Sequence, residues 1–425
     1  MIGDNSSGSS ELTTETQLVQ RRVVALRWRA ALLMAAVISA SIAVRPPITV
    51  IGPLADTVHA STGLSSTAIG VLTTLPLVVF MLLSAHVSRI ARRLGMEVAM
   101  AVGFALVLAG SMIRWFPSIP LMYLGTAVVA IGLTMPNVLL PGIIRRDFQT
   151  RIGPMTSLYI ALTAGGAGVA SFLALPLAID FGWGWRATIA STGVLATIAA
   201  IIWSLVGGER HQPAAEILTQ TVVWRSRTAW WVALFFSTQT LTFYCVVAWL
   251  VPVLTVKGLT PTASGAFLGG FSVVGIGSSL VAPILAARHP SQSTVAAAFG
   301  VIQMAGALGM LVSTGPAAGV SALVLGVGAA GGFAVAFTLF GLRAPNHIVS
   351  SELAGMAQTV GYGVAAIGPL LFGFLHDLFG NWNILLGAFV VLGVFAVALG
   401  VLAGLPLFVP NGPPLGNRRD EMHVS

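Results

Sequence analysis

An arginine followed by two prolines lies inside an otherwise apolar stretch, SIAVRPPITVIGPL, residues 41–54. The planar guanidinium of Arg45 can donate paired hydrogen bonds to a carboxylate, a nitro group or another electron-rich acceptor. No Asp or Glu lies in the middle of an apolar segment to neutralise this charge. Arg45 is therefore a candidate anchor for the electron-rich end of a small ligand. The alternative is a structural arginine that bonds the backbone carbonyls which Pro46 and Pro47 leave free.

Polar and aromatic side chains in other apolar segments lie at a depth similar to that of Arg45. Gln and Tyr can donate hydrogen bonds to oxygen or nitrogen atoms, and aromatic faces suit a flat ring. For each of these residues the alternative is hydrogen bonding between helices. The candidate ligand-binding residues are Arg45, Asn137, Tyr159, Gln239, Tyr244, Trp249, Gln358 and Tyr362.

The amino-acid composition indicates whether these residues lie in a soluble protein or in a membrane. Of the 425 residues, 56% are hydrophobic and 8% charged, and the mean hydropathy is +0.92. Soluble domains carry roughly 25% charged residues, so the composition predicts an integral membrane protein. The net charge of +8 does not indicate a nucleic-acid partner, because most arginines lie in short loops between apolar runs. The single cysteine, Cys245, excludes an internal disulfide and a multi-cysteine metal site.

Twelve apolar runs are long enough to cross a hydrocarbon core, which takes about 20 helical residues. An even number of spans places both termini on the same side of the membrane. All Lys and Arg residues except Arg45, Arg114, Arg186 and Lys257 fall on one side, which predicts that both termini are cytoplasmic in the cell inner membrane. The predicted helices cover residues 30–55, 63–87, 96–114, 120–143, 152–178, 186–207, 228–255, 262–287, 293–314, 318–341, 352–376 and 382–408.

The longest polar connection divides these helices into two groups of six. A D-x-x-x-x-W spacing recurs from Asp180 to Trp185 and from Asp377 to Trp382, near the end of the fifth helix of each half. The pattern predicts an all-α membrane fold built from two six-helix repeats, with a binding site between the halves. The predicted organisation is a cytoplasmic tail 1–27, a first half 28–207, a linker 208–227, a second half 228–408 and a tail 409–425.

The loop after the second helix, SAHVSRIARRLG, resembles the conserved loop of the major facilitator superfamily, written G-x-x-x-D-R-x-G-R-R. Ser84 and Ala91 replace its glycines, and Ser88 replaces its aspartate. In that family the loop latches the inner gate through charge pairs. The resemblance assigns gating roles to Arg89, Arg92 and Arg93, with Glu97 as a candidate substitute for the missing acid.

Four longer segments resemble a narrower branch, the cyanate and 2-nitroimidazole permease family of CynX/NimT type. They are RPPITVIGPL, PNVLLPGIIRRDF, QTLTFYCVVAWLVP and GMAQTVGYGVAAIGPLLFGFLHDLFG. The similarity spans nearly all of both halves. It implies transport of a small solute by alternating access, and it leaves the solute itself open.

The sequence therefore predicts a secondary or facilitated transporter for a small anionic or polar-acceptor solute, such as a cyanate-like anion, a small carboxylate or a nitro or nitrogen heterocycle. Efflux of toxic heterocycles, and a membrane receptor with a transporter fold, are the alternatives. No P-loop motif occurs, which excludes ATP as the driving force. An enzyme is not expected, because the deep parts of the spans hold no His, Asp or Glu. The expected partners are the solute and membrane lipid, with a co-transported proton left open; no cofactor or metal is expected, and the protein is expected to be a monomer.

Overall fold

The computed structural model describes residues 28–64, 66–207, 223–289 and 291–410. It contains twelve helices long and apolar enough to cross a membrane, so the predicted number of spans is confirmed. The predicted tail 1–27 and most of the linker and of the C-terminal tail lie outside the described residues. We number the spans α1 (28–49), α2 (Ser66–Leu94), α3 (Met96–Ile113), α4 (Ile119–Asp147), α5 (Ile152–Leu175), α6 (Gly184–Gly207), α7 (Arg227–Val256), α8 (Pro261–Arg288), α9 (Gln292–Val312), α10 (Gly315–Leu342), α11 (His347–Phe379) and α12 (Asn383–Ala403).

Four predicted helix boundaries were wrong by five residues or more: the ends of α1, α2 and α12 and the start of α11. Helix α1 ends at Thr49 instead of residue 55, because the prolines at 46 and 47 break it and only one further turn follows. Helix α11 begins at His347 instead of residue 352. The side chain of Asn346 accepts a hydrogen bond from the Val349 backbone N–H at 2.9 Å, which caps the helix early.

The break in α1 lies at Val44 and Arg45, where the helix is interrupted by a bend before Pro46. Helix α5 satisfies the backbone around this break: the Thr163 hydroxyl donates to the Ser41 carbonyl at 3.2 Å, and the Ser171 hydroxyl donates to the Thr49 carbonyl at 3.3 Å. A Cβ atom at Gly166 would lie 2.6 Å from the Ile42 oxygen, so only glycine permits this approach. Broken backbone at membrane depth is tolerated where neighbouring groups satisfy it.

Arg114, just after the end of α3, also supports the break. Its side chain is buried and donates to the Pro47 carbonyl at 2.8 Å. The sequence placed this arginine on the outer side of the membrane but gave no sign of its partner. The contact depends on the packing of α3 against α1, which no local pattern encodes.

Close crossings between helices depend on glycine in both halves. Cβ atoms at Gly110 on α3 and Gly125 on α4 would lie 2.6 and 2.7 Å from each other's carbonyl oxygens. In the second half, α10 brings Gly328 against the backbone of Gln303 on α9. Small residues allow membrane helices to approach closely enough for dispersion to hold them.

Ion pairs and hydrogen bonds at the helix ends repeat between the halves. Arg146 at the end of α4 pairs with Glu97 at the start of α3 at 2.6 Å. Arg343 after α10 donates to Gln292 at the start of α9 at 2.6 Å. The recurrence of the same link supports two related six-helix units.

Contacts between the two halves concentrate towards one face, which we call the inner face because α1 begins and α12 ends there. Ser157 on α5 donates to the Leu280 carbonyl on α8 at 2.7 Å, and Gly355 on α11 lies against the Ser84 backbone on α2. The inner ends of α4, α10 and α11 are almost continuously buried. Among the described residues, the hydrogen bonds, ion pairs and ring contacts between the halves lie from this face to about mid-depth. The structure is therefore closed at its inner face.

Candidate functional site

Three of the four tyrosines of the chain surround Arg45. Tyr244 from α7, Tyr159 from α5 and Tyr362 from α11 all lie within electrostatic range of the guanidinium. Arg45 remains partly accessible although protein surrounds it, as expected for a side chain that lines an internal cavity. Both halves of the protein therefore contribute to one cluster, with Arg45 and Tyr159 from the first and Tyr244 and Tyr362 from the second.

Tyr362 is 1% exposed, and its hydroxyl has no hydrogen-bond partner among the described residues. Its ring is held in place by Phe80 on α2, at 5.3 Å between ring centres, and by Phe236 on α7, at 6.0 Å. A buried hydroxyl without a partner costs about 1–3 kcal/mol. A buried hydroxyl without a partner on a rigid ring near an arginine is the arrangement expected where a ligand supplies the missing partner.

Aromatic side chains form a layer on the inner side of the tyrosines. Phe236 contacts Phe333, Phe337 and Phe340 of α10 at 5.3–5.6 Å, and Phe337 also packs against Tyr159 at 5.9 Å. This layer joins α5, α7 and α10 across the interface between the halves. These apolar rings line the inner side of the cluster and disfavour water there.

Gln358 and Asn137 lie where α11 crosses α4. The Gln358 amide nitrogen donates to the Asn137 backbone carbonyl at 2.8 Å, while the Gln358 side-chain oxygen has no partner among the described residues. Both residues are buried, at 0% and 2% exposure. The structure thus places these two predicted site residues together, in direct contact across the halves.

Gln239 and Trp249, also predicted for the site, have other surroundings. Gln239 is fully buried against Gly332 of α10, and neither of its amide atoms has a partner in the described structure. Trp249 donates to the Pro369 carbonyl at 3.0 Å and packs on Trp382 at 5.1 Å, so its described contacts hold α7 to α11 and α12. Spacing along α7 predicted the depth of these two residues but not the face on which they lie.

The cluster around Arg45 is rich in hydrogen-bond donors. A guanidinium offers five N–H groups and accepts none, and each phenol offers one O–H group. Among the described residues no group of three or more His, Cys, Asp or Glu could hold a metal ion. The arrangement suits a ligand that brings acceptor atoms and negative charge.

An ion pair joins the two halves at the inner face. Arg92 at the end of α2 bonds to Glu352 near the start of α11, and the carboxylate is 8% exposed. The predicted acid was Glu97, but this residue instead pairs with Arg146 inside the first half. Arg89 and Arg93 are exposed. The gating roles of all four residues stay predictions.

We expect Glu352→Gln to weaken the closed inner face. Because Arg92 is partly exposed, the pair contributes on the order of 1 kcal/mol, equivalent to a several-fold shift towards the inner-open form. Distances between spin labels at the inner ends of α2 and α11 measure this shift. The double exchange Arg92→Glu with Glu352→Arg restores the pair and is expected to restore the distribution. An unchanged distribution in Glu352→Gln would show that the pair does not act as a latch.

Comparisons with known proteins agree with this architecture. The family model of the Major Facilitator Superfamily matches residues 32–369. The 2-nitroimidazole transporter of Escherichia coli (strain K12) is 32% identical over 378 residues, covering 88% of this chain and 95% of that protein. The cyanate transport protein CynX of the same organism is 23% identical, covering 80% and 88%. The crystal structure of the E. coli fucose:proton symporter FucP superposes with a TM-score of 0.70 at 14% identity, covering 88% and 97%.

The fold and the matches together define a multi-pass membrane transporter of small solutes, not an enzyme. The chain belongs to the Major Facilitator Superfamily and, within it, is a transporter of the NimT/CynX type.

Proposed function

We propose that the protein carries a small planar anion, or a solute with a planar acceptor group, across the cytoplasmic membrane by alternating access. The observation that supports this proposal is the convergence of Arg45 and three tyrosines from both halves in one cluster. We further propose that both termini are cytoplasmic and that the protein works as a monomer. The inner face defined above would then be the cytoplasmic face.

The donor set selects the class of solute. A carboxylate or nitro group presents two coplanar oxygens, which match the paired N–H groups of a guanidinium. The hydroxyl of Tyr362, which lacks a protein partner, would donate to the same group or to a ring nitrogen. Organic cations would be repelled, since the side chains that act on Arg45 are phenols and include no carboxylate among the described residues.

The position of the cluster supports alternating access. A solute held between Arg45 and Tyr362 touches both halves at once, so its binding can draw them together. The inner face is already closed by the contacts of α11 with α2 and α4. Closing the outer side over the solute and then separating these inner contacts would move the solute across the membrane.

The flat aromatic surroundings favour a second candidate, efflux of heterocyclic compounds. The rings of Phe236, Phe337 and Tyr159 offer apolar faces beside the polar cluster. The 32% identical relative is named a 2-nitroimidazole transporter, and the more distant one a cyanate transport protein. A nitroimidazole carries both a flat ring and a planar nitro group, so one site can serve both candidate functions.

Tyr362→Phe tests the site, because it removes a hydroxyl that no protein group needs. We expect affinity for the transported solute to fall about 10- to 150-fold, since one hydrogen bond to a charged group contributes about 1.5–3 kcal/mol. Thermal stability should be unchanged or slightly higher. Binding is measured by thermal shift, and flux of labelled benzoate, cyanate and 2-nitroimidazole is measured in proteoliposomes.

Tyr123→Phe is the matched control. This fourth tyrosine on α4 donates to the Ala68 carbonyl at 2.7 Å, away from Arg45. Its loss should lower stability by about 1 kcal/mol and leave affinity unchanged. If Tyr362→Phe behaves like Tyr123→Phe, the tyrosine cluster is structural. Binding of these compounds without flux would instead favour a receptor.

A further inference from the structure

The cavity carries one positive charge that no described carboxylate balances. Arginine keeps its proton at every physiological pH, and the side chains that act on Arg45 are Tyr159, Tyr244 and Tyr362, with no carboxylate among them. The described acidic side chains lie at helix ends, where Glu97 and Glu352 are already paired with other arginines. The empty site is therefore a cation, and a site that holds a monoanion is neutral overall.

The free energies of the empty site and of the site that holds an anion differ most when the protein is closed on both sides. In the structure, Arg45 still has accessible surface, so water can solvate part of its charge. Passing to the opposite face requires a stage at which both ends are shut and this water is confined or expelled. An unpaired charge is strongly disfavoured in such surroundings, whereas a charge paired and hydrogen-bonded to an anion is not.

We infer that the protein is an anion exchanger, in which the loaded carrier changes face readily and the empty carrier does so slowly. This inference rests on the proposed function and states which solute movements are coupled. Movement of one planar anion in one direction is tied to movement of a second anion in the other. The second anion, and not a protein-bound proton, supplies the charge balance.

The distribution of titratable groups agrees with exchange. A protein-based proton carrier needs a group that gains and loses a proton while it faces the cavity. Around Arg45 the described titratable groups are the phenols of Tyr159, Tyr244 and Tyr362, with no His, Asp or Glu among them. A pH gradient should therefore act only through the ionisation of the solute itself.

Counterflow in proteoliposomes of the purified full chain tests the inference, with labelled benzoate and labelled cyanate as the probes. We expect label to leave vesicles at least about tenfold faster into a medium that contains the same unlabelled anion than into a medium without it. Both rates are measured with the membrane potential clamped at zero and with equal pH on both sides. The acceleration should disappear when the external anion is replaced by impermeant gluconate.

The outcomes separate the inference from the proposed function. Equal efflux with and without external anion overturns exchange and leaves transport intact. Concentrative uptake of benzoate driven by an imposed pH gradient at constant solute ionisation also overturns it. If neither probe binds or moves under any condition, the proposed function fails, and exchange fails with it.

A charge-restoring variant adds a measurement that needs no solute. Tyr244→Glu places a carboxylate beside the guanidinium in place of a phenol, and Tyr244→Gln is its neutral control. We expect the empty Glu variant to change face at least about tenfold faster than the Gln variant, as followed by fluorescence energy transfer between labels at the inner ends of α2 and α11. Equal rates in two variants that both fold would overturn the proposed role of the unbalanced charge.

Discussion

Arg45→Ala is expected to abolish solute binding, with a loss of affinity of about 100-fold or more. Two hydrogen bonds to a charged partner contribute about 1.5–3 kcal/mol each, and the variant also removes the attractive charge of the cavity. Arg45→Lys should fail nearly as badly, since an ammonium group cannot present two coplanar donors. Thermal-shift binding and proteoliposome flux with benzoate, cyanate and 2-nitroimidazole measure the loss.

Stability is the readout that separates this role from a structural one. The carbonyls near the break in α1 are served by Thr163, Ser171 and Arg114, so the backbone there does not depend on Arg45. Arg45→Ala should therefore unfold at a temperature close to that of the unaltered protein. Arg288→Ala, which removes an exposed arginine at the end of α8, is the control for a general effect of charge. Retained binding in Arg45→Ala, or a large loss of stability, would favour the structural alternative.

The sequence singles out Arg45 because the membrane imposes a strong rule. A charge placed in the middle of an apolar span costs about 2.5–3.5 kcal/mol or more if it faces lipid, so it must face the protein interior. The same rule predicted the number of spans. Tyr159, Tyr244 and Tyr362 were predicted on depth alone, and the structure gathers all three at Arg45.

Depth does not determine the face of a helix, and the same reasoning was therefore less successful on α7. Gln239 and Tyr244 are five residues apart, which turns them about 140° from each other around the helix. Tyr244 faces Arg45, whereas Gln239 packs on Gly332. An apolar helix that is buried on several sides shows no polar stripe from which this orientation could be read.

The sequence alone could not identify contacts between residues that lie far apart along the chain. Glu97 was the acid nearest to the arginine-rich loop in the sequence, yet Arg92 pairs with Glu352, 260 residues away. The same holds for Arg114, which donates to the Pro47 carbonyl. Nothing in the sequence around either residue indicates the other as its partner. Such pairs are set by how the helices cross, and the crossings depend on small residues whose partners the sequence does not identify.

One of these crossings controls the closed inner face. A Cβ atom at Gly355 on α11 would lie 2.6 Å from the carbonyl oxygen of Ser84 on α2, closer than two such atoms can approach. The neighbouring oxygen belongs to helical backbone and cannot rotate away as a side chain could. This crossing exists only while the inner face is shut, because Ser84 and Gly355 belong to different halves.

Gly355→Ala should therefore shift the protein towards the inner-open form. Overpacking of this kind costs about 1–3 kcal/mol, equivalent to a shift of about 5- to 150-fold in the ratio of the two forms. Spin-label distances between the inner ends of α2 and α11 should lengthen, and flux should fall because one face becomes too stable to leave. Gly387→Ala on α12 is the matched control, since a Cβ atom there meets nothing within 4 Å and the gain in helix propensity is the same. If both variants keep the closed distances, the inner face is not held by the crossing of α2 and α11, and the aromatic layer around Phe236 becomes the principal barrier.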